Sequence, residues 1–198
     1  MKVCLNSIMI FCSILMNLQY ELNAQNDSIT KSKFVDNRDS NVYETIIIGG
    51  KQWLLQNLNI KTEKSWCEKC EIYGRLYSYE DAKMACPPGW HIPTLEEWKK
   101  LVFDLGGEEL IKNRMKFNKG WLYSKVPITN ACAFNAIATP YVTVDGKIRK
   151  TGSHATWWTS TLALEPANWT YRITYNNDKI ECWGFYKVSG FSVRCIKD

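Results

Sequence analysis

A short helical segment that ends at Cys86, is stopped by Pro87-Pro88 and is followed at once by a second capped helix limits this chain more than any other feature. The stretch is residues 73–101, YGRLYSYEDAKMACPPGWHIPTLEEWKKL. Ser78 followed by Asp81 predicts the first helix as an N-cap with an acidic third position, and neither proline can donate the backbone bond that would prolong it. Thr94 and Glu97 form a T-x-x-E capping box. Leu95, Trp98, Leu101, Val102 and Leu105 lie on one face of the helix it opens, and Gly106-Gly107 stops it. The closing FSVRCIKD, residues 191–198, carries another cysteine, Cys195. This is the plan of a compact scaffold and holds no recognisable reaction centre.

The compartment decides how the cysteines are read. Met1-Lys2 gives a positive start, Val3 to Leu18 is mostly apolar, and Leu22-Asn23-Ala24 sets a small residue before Gln25. That is the layout of a secretory signal peptide over residues 1–24. The apolar run is too short and too often interrupted for a span, which needs about 20 apolar residues. After cleavage no membrane span is expected, so the protein is predicted to be secreted or held at the cell surface, with the periplasm as a further possibility.

Cleavage at that point removes Cys4 and Cys12 and leaves Cys67, Cys70, Cys86, Cys132, Cys182 and Cys195. An even number in an exported chain predicts disulfides, although their pairing cannot be read from the sequence alone. The net charge of +5 is spread along the chain rather than clustered. It suits solubility and argues against a nucleic-acid partner.

Residues 25–41 are polar and predict a flexible linker, with one domain over residues 42–198. Two β-hairpins are expected, at 43–55 around Gly49-Gly50 and at 141–150 around Asp145-Gly146. Residues 108–115 suggest a third short helix. Strands are expected at 156–159, 168–175, 179–188 and 190–196, with residues 168–175 alternating between a buried and a wet face. Short helices followed by strands give an α+β fold with a mostly antiparallel sheet.

The segments VYETIIIGGKQWLLQNLNI, YGRLYSYEDAKMACPPGWHIPTLEEWKKL, WWTSTL and GFSVRCIKD, in this order, resemble the Fibrobacter succinogenes major paralogous domain family. Its members are exported modules common in the Bacteroidetes. The resemblance implies a disulfide-stabilised C-type lectin-like fold and a setting at the cell envelope, but no settled activity. It also implies a bond from Cys86, at the end of the first helix, to Cys195 in the final strand, and a local bond between Cys67 and Cys70. Cys132 and Cys182 are then left as a third pair.

Candidate site residues follow from the same comparison. Sugar-binding C-type lectins hold calcium with a Glu-Pro-Asn or Gln-Pro-Asp triplet and a later Trp-Asn-Asp. Here Glu165-Pro166-Ala167-Asn168 is one residue too long, and Asn176-Asn177-Asp178 lacks the tryptophan, so calcium is an open possibility and no other cofactor or metal is expected. Trp157-Trp158 must point to opposite faces of a strand, which leaves one of them available to a ligand, and Trp183 lies in the same loop-rich half. Glu165, Asn168, Asp178, Trp158 and Trp183 are therefore the candidate ligand contacts, on loops between Thr159 and Tyr186. His91 and His154 read as structural, with no Ser or Cys nucleophile arranged around them. The C-x-x-C of Cys67 and Cys70 reads as a structural disulfide, because Glu68 and Glu71 disfavour a reactive thiolate. The expected function is a non-enzymatic binding or adhesion module for a glycan or protein. A purely structural envelope component and an enzyme on a scaffold like that of the formylglycine-generating group are the alternatives.

Overall fold

A computed structural model of the protein describes residues 31–108, 114–117, 120–122, 128–150, 152–175 and 180–198. The expected signal peptide, Asp178 and most of the expected third helix lie outside the described residues.

The strands are mostly antiparallel and the helices are short. A five-stranded sheet runs in the order β1 (Lys31–Asp36), β2 (Asn41–Ile48), β3 (Lys51–Leu54), β12 (Ile196–Lys197), β6 (Trp90–His91). A three-stranded sheet holds β11 (Glu181–Tyr186), β10 (Ala167–Thr174) and β9 (His154–Leu162). Two small ladders pair β4 (Ser65–Trp66) with β5 (Leu76–Tyr77) and β7 (Tyr141–Val142) with β8 (Ile148–Arg149). The helices are α1 (Cys70–Tyr73), α2 (Tyr79–Ala85) and α3 (Leu95–Asp104). Among the described residues no helix is long and apolar enough to cross a membrane.

The local signals formed as the sequence predicts. Gly49 and Gly50 turn the first hairpin at φ of 55° and 77°, values that glycine adopts without steric cost. Ser78 accepts a hydrogen bond from the Asp81 amide at 3.3 Å and opens α2. In α3 the Thr94 hydroxyl accepts from the Glu97 amide at 3.0 Å, and the Glu97 carboxylate accepts from the Thr94 amide at 2.8 Å. At the other end the Gly107 amide donates to the Val102 carbonyl at 2.9 Å, closing the helix as a glycine stop should.

The expected flexible linker is corrected from Lys31 onward, the part that lies within the described residues. Residues 31–36 form β1, paired with β2 over six positions from Lys31 opposite Ile46 to Asp36 opposite Asn41. Composition failed here because the anchors are few and specific. Phe34 packs on Trp90 at 5.0 Å, and the buried Asp36 carboxylate accepts from Arg38 Nη2 at 2.7 Å. Arg38 also donates to the Ala85 carbonyl at 2.7 Å, tying the β1–β2 turn to the end of α2. The Arg38 guanidinium holds the Asp36 carboxyl below the usual carboxylate range, against the opposing effect of burial.

A second correction concerns the wet face expected for residues 168–175. The β9–β10 pair lies between two hydrophobic clusters. One holds Trp53, Trp98, Trp157, Tyr171 and Ile173; the other holds Leu54, Tyr79, Trp158, Phe191 and Val193. Successive strand residues point to opposite faces, so neighbours serve different clusters. Trp157 lies 5.2 Å from Trp98, which stacks on Tyr171 at 4.5 Å, while Trp158 meets Tyr79 edge-on at 5.4 Å. Both faces therefore carry buried residues, with Thr170 and Asn168 buried among the aromatics, while Trp169 and Arg172 stay partly exposed.

His154 at the start of β9 is buried, with Nδ1 2.8 Å from the Ser153 hydroxyl, and loss of solvation together with nearby Arg172 pushes its pKa down to about 4. The unfolded imidazole titrates near about 6.5. Between those two values the unfolded chain binds a proton that the folded chain refuses, so stability is complete above the upper value and falls as pH falls toward the lower. A loss of up to about 3 kcal/mol is expected across that window. Urea midpoints at pH 7 and pH 4.5 should differ distinctly less in His154→Leu than in the unaltered protein; an equal difference would refute the assignment.

Candidate functional site

A cleft of about 620 Å³ opens between the β2–β3 hairpin, the segment after β3, α1 and the turn around Asn135. Its walls are built by the chain just before β12. Leu54 donates its amide to the Cys195 carbonyl at 3.1 Å and Leu58 to the Val193 carbonyl at 2.9 Å, so residues 54–58 run alongside residues 193–195. Phe191, Val193 and Cys195 turn into one hydrophobic cluster, which sends Arg194 the other way, toward the cleft. Gly74 lets α1 close in: at φ 70°, a Cβ there would stand 2.8 Å from Asn57 Cβ.

Arg194 is fully buried and forms the floor. Its Nη1 donates to the carbonyls of Leu55 at 2.5 Å, Phe134 at 3.0 Å and Leu54 at 3.2 Å. Its Nε and Nη2 both donate to Asn57 Oδ1, at 3.2 and 2.9 Å. The guanidinium lies over the Phe134 ring at 4.7 Å and near the Trp157 ring at 5.7 Å. Each of these partners is neutral, and no carboxylate is paired to it among the described residues. Burial alone pushes its pKa down to about 9, which still leaves it mostly charged at neutral pH.

Asn57 is the matching node. Its Oδ1 also accepts from Trp157 Nε1 at 2.8 Å, and its Nδ2 donates to the Tyr73 carbonyl at 2.9 Å, so the side chain is spent on structure. Other amides on the wall have capacity left. Asn59 Oδ1 is buried with no hydrogen-bond partner. Gln56 Oε1 accepts from the Glu44 amide and Asn135 Oδ1 accepts from Asn130, leaving both NH2 groups without a partner among the described residues. Tyr43 OH accepts from the Asn59 amide at 3.0 Å, and burial pushes its pKa up to about 12, so it stays protonated. Bonds between the Met115–Phe117 backbone and Ala136, at 2.7 and 2.8 Å, bring the Phe117 ring to the rim beside Asn135.

The candidate ligand contacts from the sequence do not converge on this cleft. Trp158 is fully buried, its Nε1 donating to the Tyr77 carbonyl at 2.8 Å, so it is core and not a ligand platform. Asn168 is equally buried; its Nδ2 donates to the Thr159 carbonyl at 2.8 Å and its Oδ1 accepts from the Ala163 amide at 3.2 Å. That side chain holds the irregular β9–β10 junction and is not free for calcium. Glu165 is exposed and pairs with Lys187. Trp183 is half exposed on the edge strand β11, its Nε1 donating to Glu181 at 2.9 Å. Among the described residues no group of three or more His, Cys, Asp or Glu is placed to hold a metal ion.

Among the described residues the cysteines form two bonds. Cys86 and Cys195 are joined with Cα atoms 5.9 Å apart, and Cys67 is joined to Cys70. The third expected pair is corrected: Cys132 and Cys182 are free thiols. Cys132 is buried in a turn where its Sγ donates to the Arg114 carbonyl at 2.9 Å, and burial pushes its pKa up to about 11. Cys182 lies exposed on β11, opposite Tyr171 in the ladder.

Arg194 and the amides at 56, 59 and 135 were missed by sequence reasoning. A single arginine between valine and cysteine in an alternating strand reads as a solvent-facing residue. The one available signal was its place in an otherwise apolar closing segment.

Residues 46–197 match the family model described as Fibrobacter succinogenes major domain. No curated protein and no solved structure matches the chain.

Proposed function

The chain belongs to the Fibrobacter succinogenes major domain family, and from that premise we propose an exported, non-enzymatic binding module that recognises a glycan at the bacterial cell envelope through the amide-lined cleft. The observation behind this reading is the set of carboxamides lining the cleft, Gln56, Asn59 and Asn135, with the NH2 groups of Gln56 and Asn135 unpartnered among the described residues. Carboxamides offer donor and acceptor together, which is what sugar hydroxyls require. The Phe117 ring at the rim supplies an apolar face for a pyranose.

A C-type lectin-like scaffold accords with this reading. The N-terminal hairpin and the C-terminal strand share one sheet, and the Cys86–Cys195 bond joins the end of α2 to that strand. The ligand surface, however, moves from the loops between Thr159 and Tyr186 to the opening beside Arg194. A protein partner is the second reading, favoured by the open edge of β11 with exposed Trp183 and Tyr186, since a bare edge strand can accept an added strand.

A glycan array with and without calcium, followed by calorimetry on the strongest ligand, tests the proposal. Asn59→Ala and Asn135→Ala should each weaken binding about tenfold, corresponding to loss of roughly one hydrogen bond, while Trp183→Ala leaves it intact. The reverse pattern would move the site to the β11 edge. Absence of any glycan or peptide binding would leave a structural envelope component.

A further inference from the structure

The two disulfides are built differently. Cys195 is wholly buried and its partner Cys86 half-buried, whereas Cys67 is exposed and its partner Cys70 is buried. The β4–β5 ladder places them: Trp66 pairs with Leu76, so Cys67 leaves one strand where Arg75 enters the other. Arg75 Nη1 lies 3.8 Å from Cys70 Sγ, its Nε is held by the Ser65 hydroxyl at 3.0 Å, and its Nη2 donates to the Ser65 carbonyl at 3.4 Å. The guanidinium is thereby fixed against the inner sulfur and pairs with no carboxylate among the described residues. The acidic residue inside the motif does not counter it, because Glu68 is engaged by Lys150 at 2.5 Å. Glu71 stands exposed, where water and salt screen it.

We propose that Cys67–Cys70 is a thiol–disulfide exchange site whose co-reactant is a low-molecular-weight thiol. The thiolate attacks Sγ of the exposed residue Cys67. The Cys67–Cys70 bond breaks as the mixed disulfide forms, and the electron pair leaves on Cys70 Sγ, where Arg75 stabilises the departing thiolate. A second thiolate attacks the thiol-derived sulfur of that mixed disulfide, forming the small-molecule disulfide and releasing Cys67 as a thiolate. Two thiols are oxidised, one protein disulfide is reduced, and the two protons they lose pass to Cys67 and Cys70 or to solvent. The fold survives the cycle, since the β4–β5 ladder holds both flanks and the Cys86–Cys195 bond remains closed.

The site is tested with purified protein whose exposed Cys182 has first been alkylated. It is equilibrated in graded mixtures of reduced and oxidised glutathione, acid-quenched, alkylated and mapped by peptide mass. Cys67–Cys70 should open and reclose at a reduced-to-oxidised ratio at least about tenfold below that which opens Cys86–Cys195. Cys70→Ser should retain glutathione on Cys67. Arg75→Gln should slow opening about tenfold, with Arg75→Lys restoring part of the rate. Simultaneous opening of both bonds, an unmodified Cys67 in Cys70→Ser, or an unchanged rate in Arg75→Gln would each overturn the proposal.

Discussion

Replacing Cys86 and Cys195 together with alanine is expected to lower the unfolding free energy by about 4–5 kcal/mol, against about 2 kcal/mol for the same change at Cys67 and Cys70. The difference follows from loop length. The first bond spans 109 residues and removes a large part of the unfolded chain's freedom; the second spans 3 and removes little. The longer bond also joins segments far apart in sequence, the end of α2 and the residue leading into β12, the strand that pairs with β3 and β6. Urea unfolding of the two double variants without reductant measures both values. Equal losses would mean that native-state contacts, not chain entropy, set the contribution of each bond.

Arg194→Met is expected to cost about 3–5 kcal/mol, although methionine is apolar and of similar length. The side chain satisfies three backbone carbonyls and Asn57 Oδ1 at once, all in the interior. Methionine would withdraw the donor from the three carbonyls and leave Asn57 Oδ1 with Trp157 Nε1 alone. Arg194→Lys retains the charge but not the planar fork, and should recover less than half of the loss. Because Asn57 shares these bonds, a double-mutant cycle of Arg194→Met with Asn57→Ala should be clearly non-additive. Additive losses would show that the two side chains act separately.

The contrast between α3 and the cleft shows what a sequence discloses. The helix is specified locally, by Thr94, Glu97 and Gly106-Gly107 within reach of one another, so its limits are legible. The first hairpin is legible for the same reason. Strand β1 was not, because its anchors lie far along the chain: Trp90 for Phe34, and Ala85 for Arg38. The bond from Cys86 to Cys195 came from likeness to a family, since spacing alone left every pairing open. The cleft was illegible because its parts become neighbours only on folding. Asn57 and Arg194 are 137 positions apart, and nothing local marks either as polar and buried. Trp158, by contrast, looked available only while one face of its strand was assumed to meet water.

The placement of the β9–β10 pair between two cores restricts how this chain can change length. Insertion or deletion of a single residue within β9 would exchange the positions of Trp157 and Trp158, sending each ring into a space shaped for the other and inverting every later residue of the strand. The Asp145-Gly146 turn, open to solvent, carries no such penalty. Length variation among relatives should therefore collect in turns of that kind, with the tryptophan pair keeping its phase.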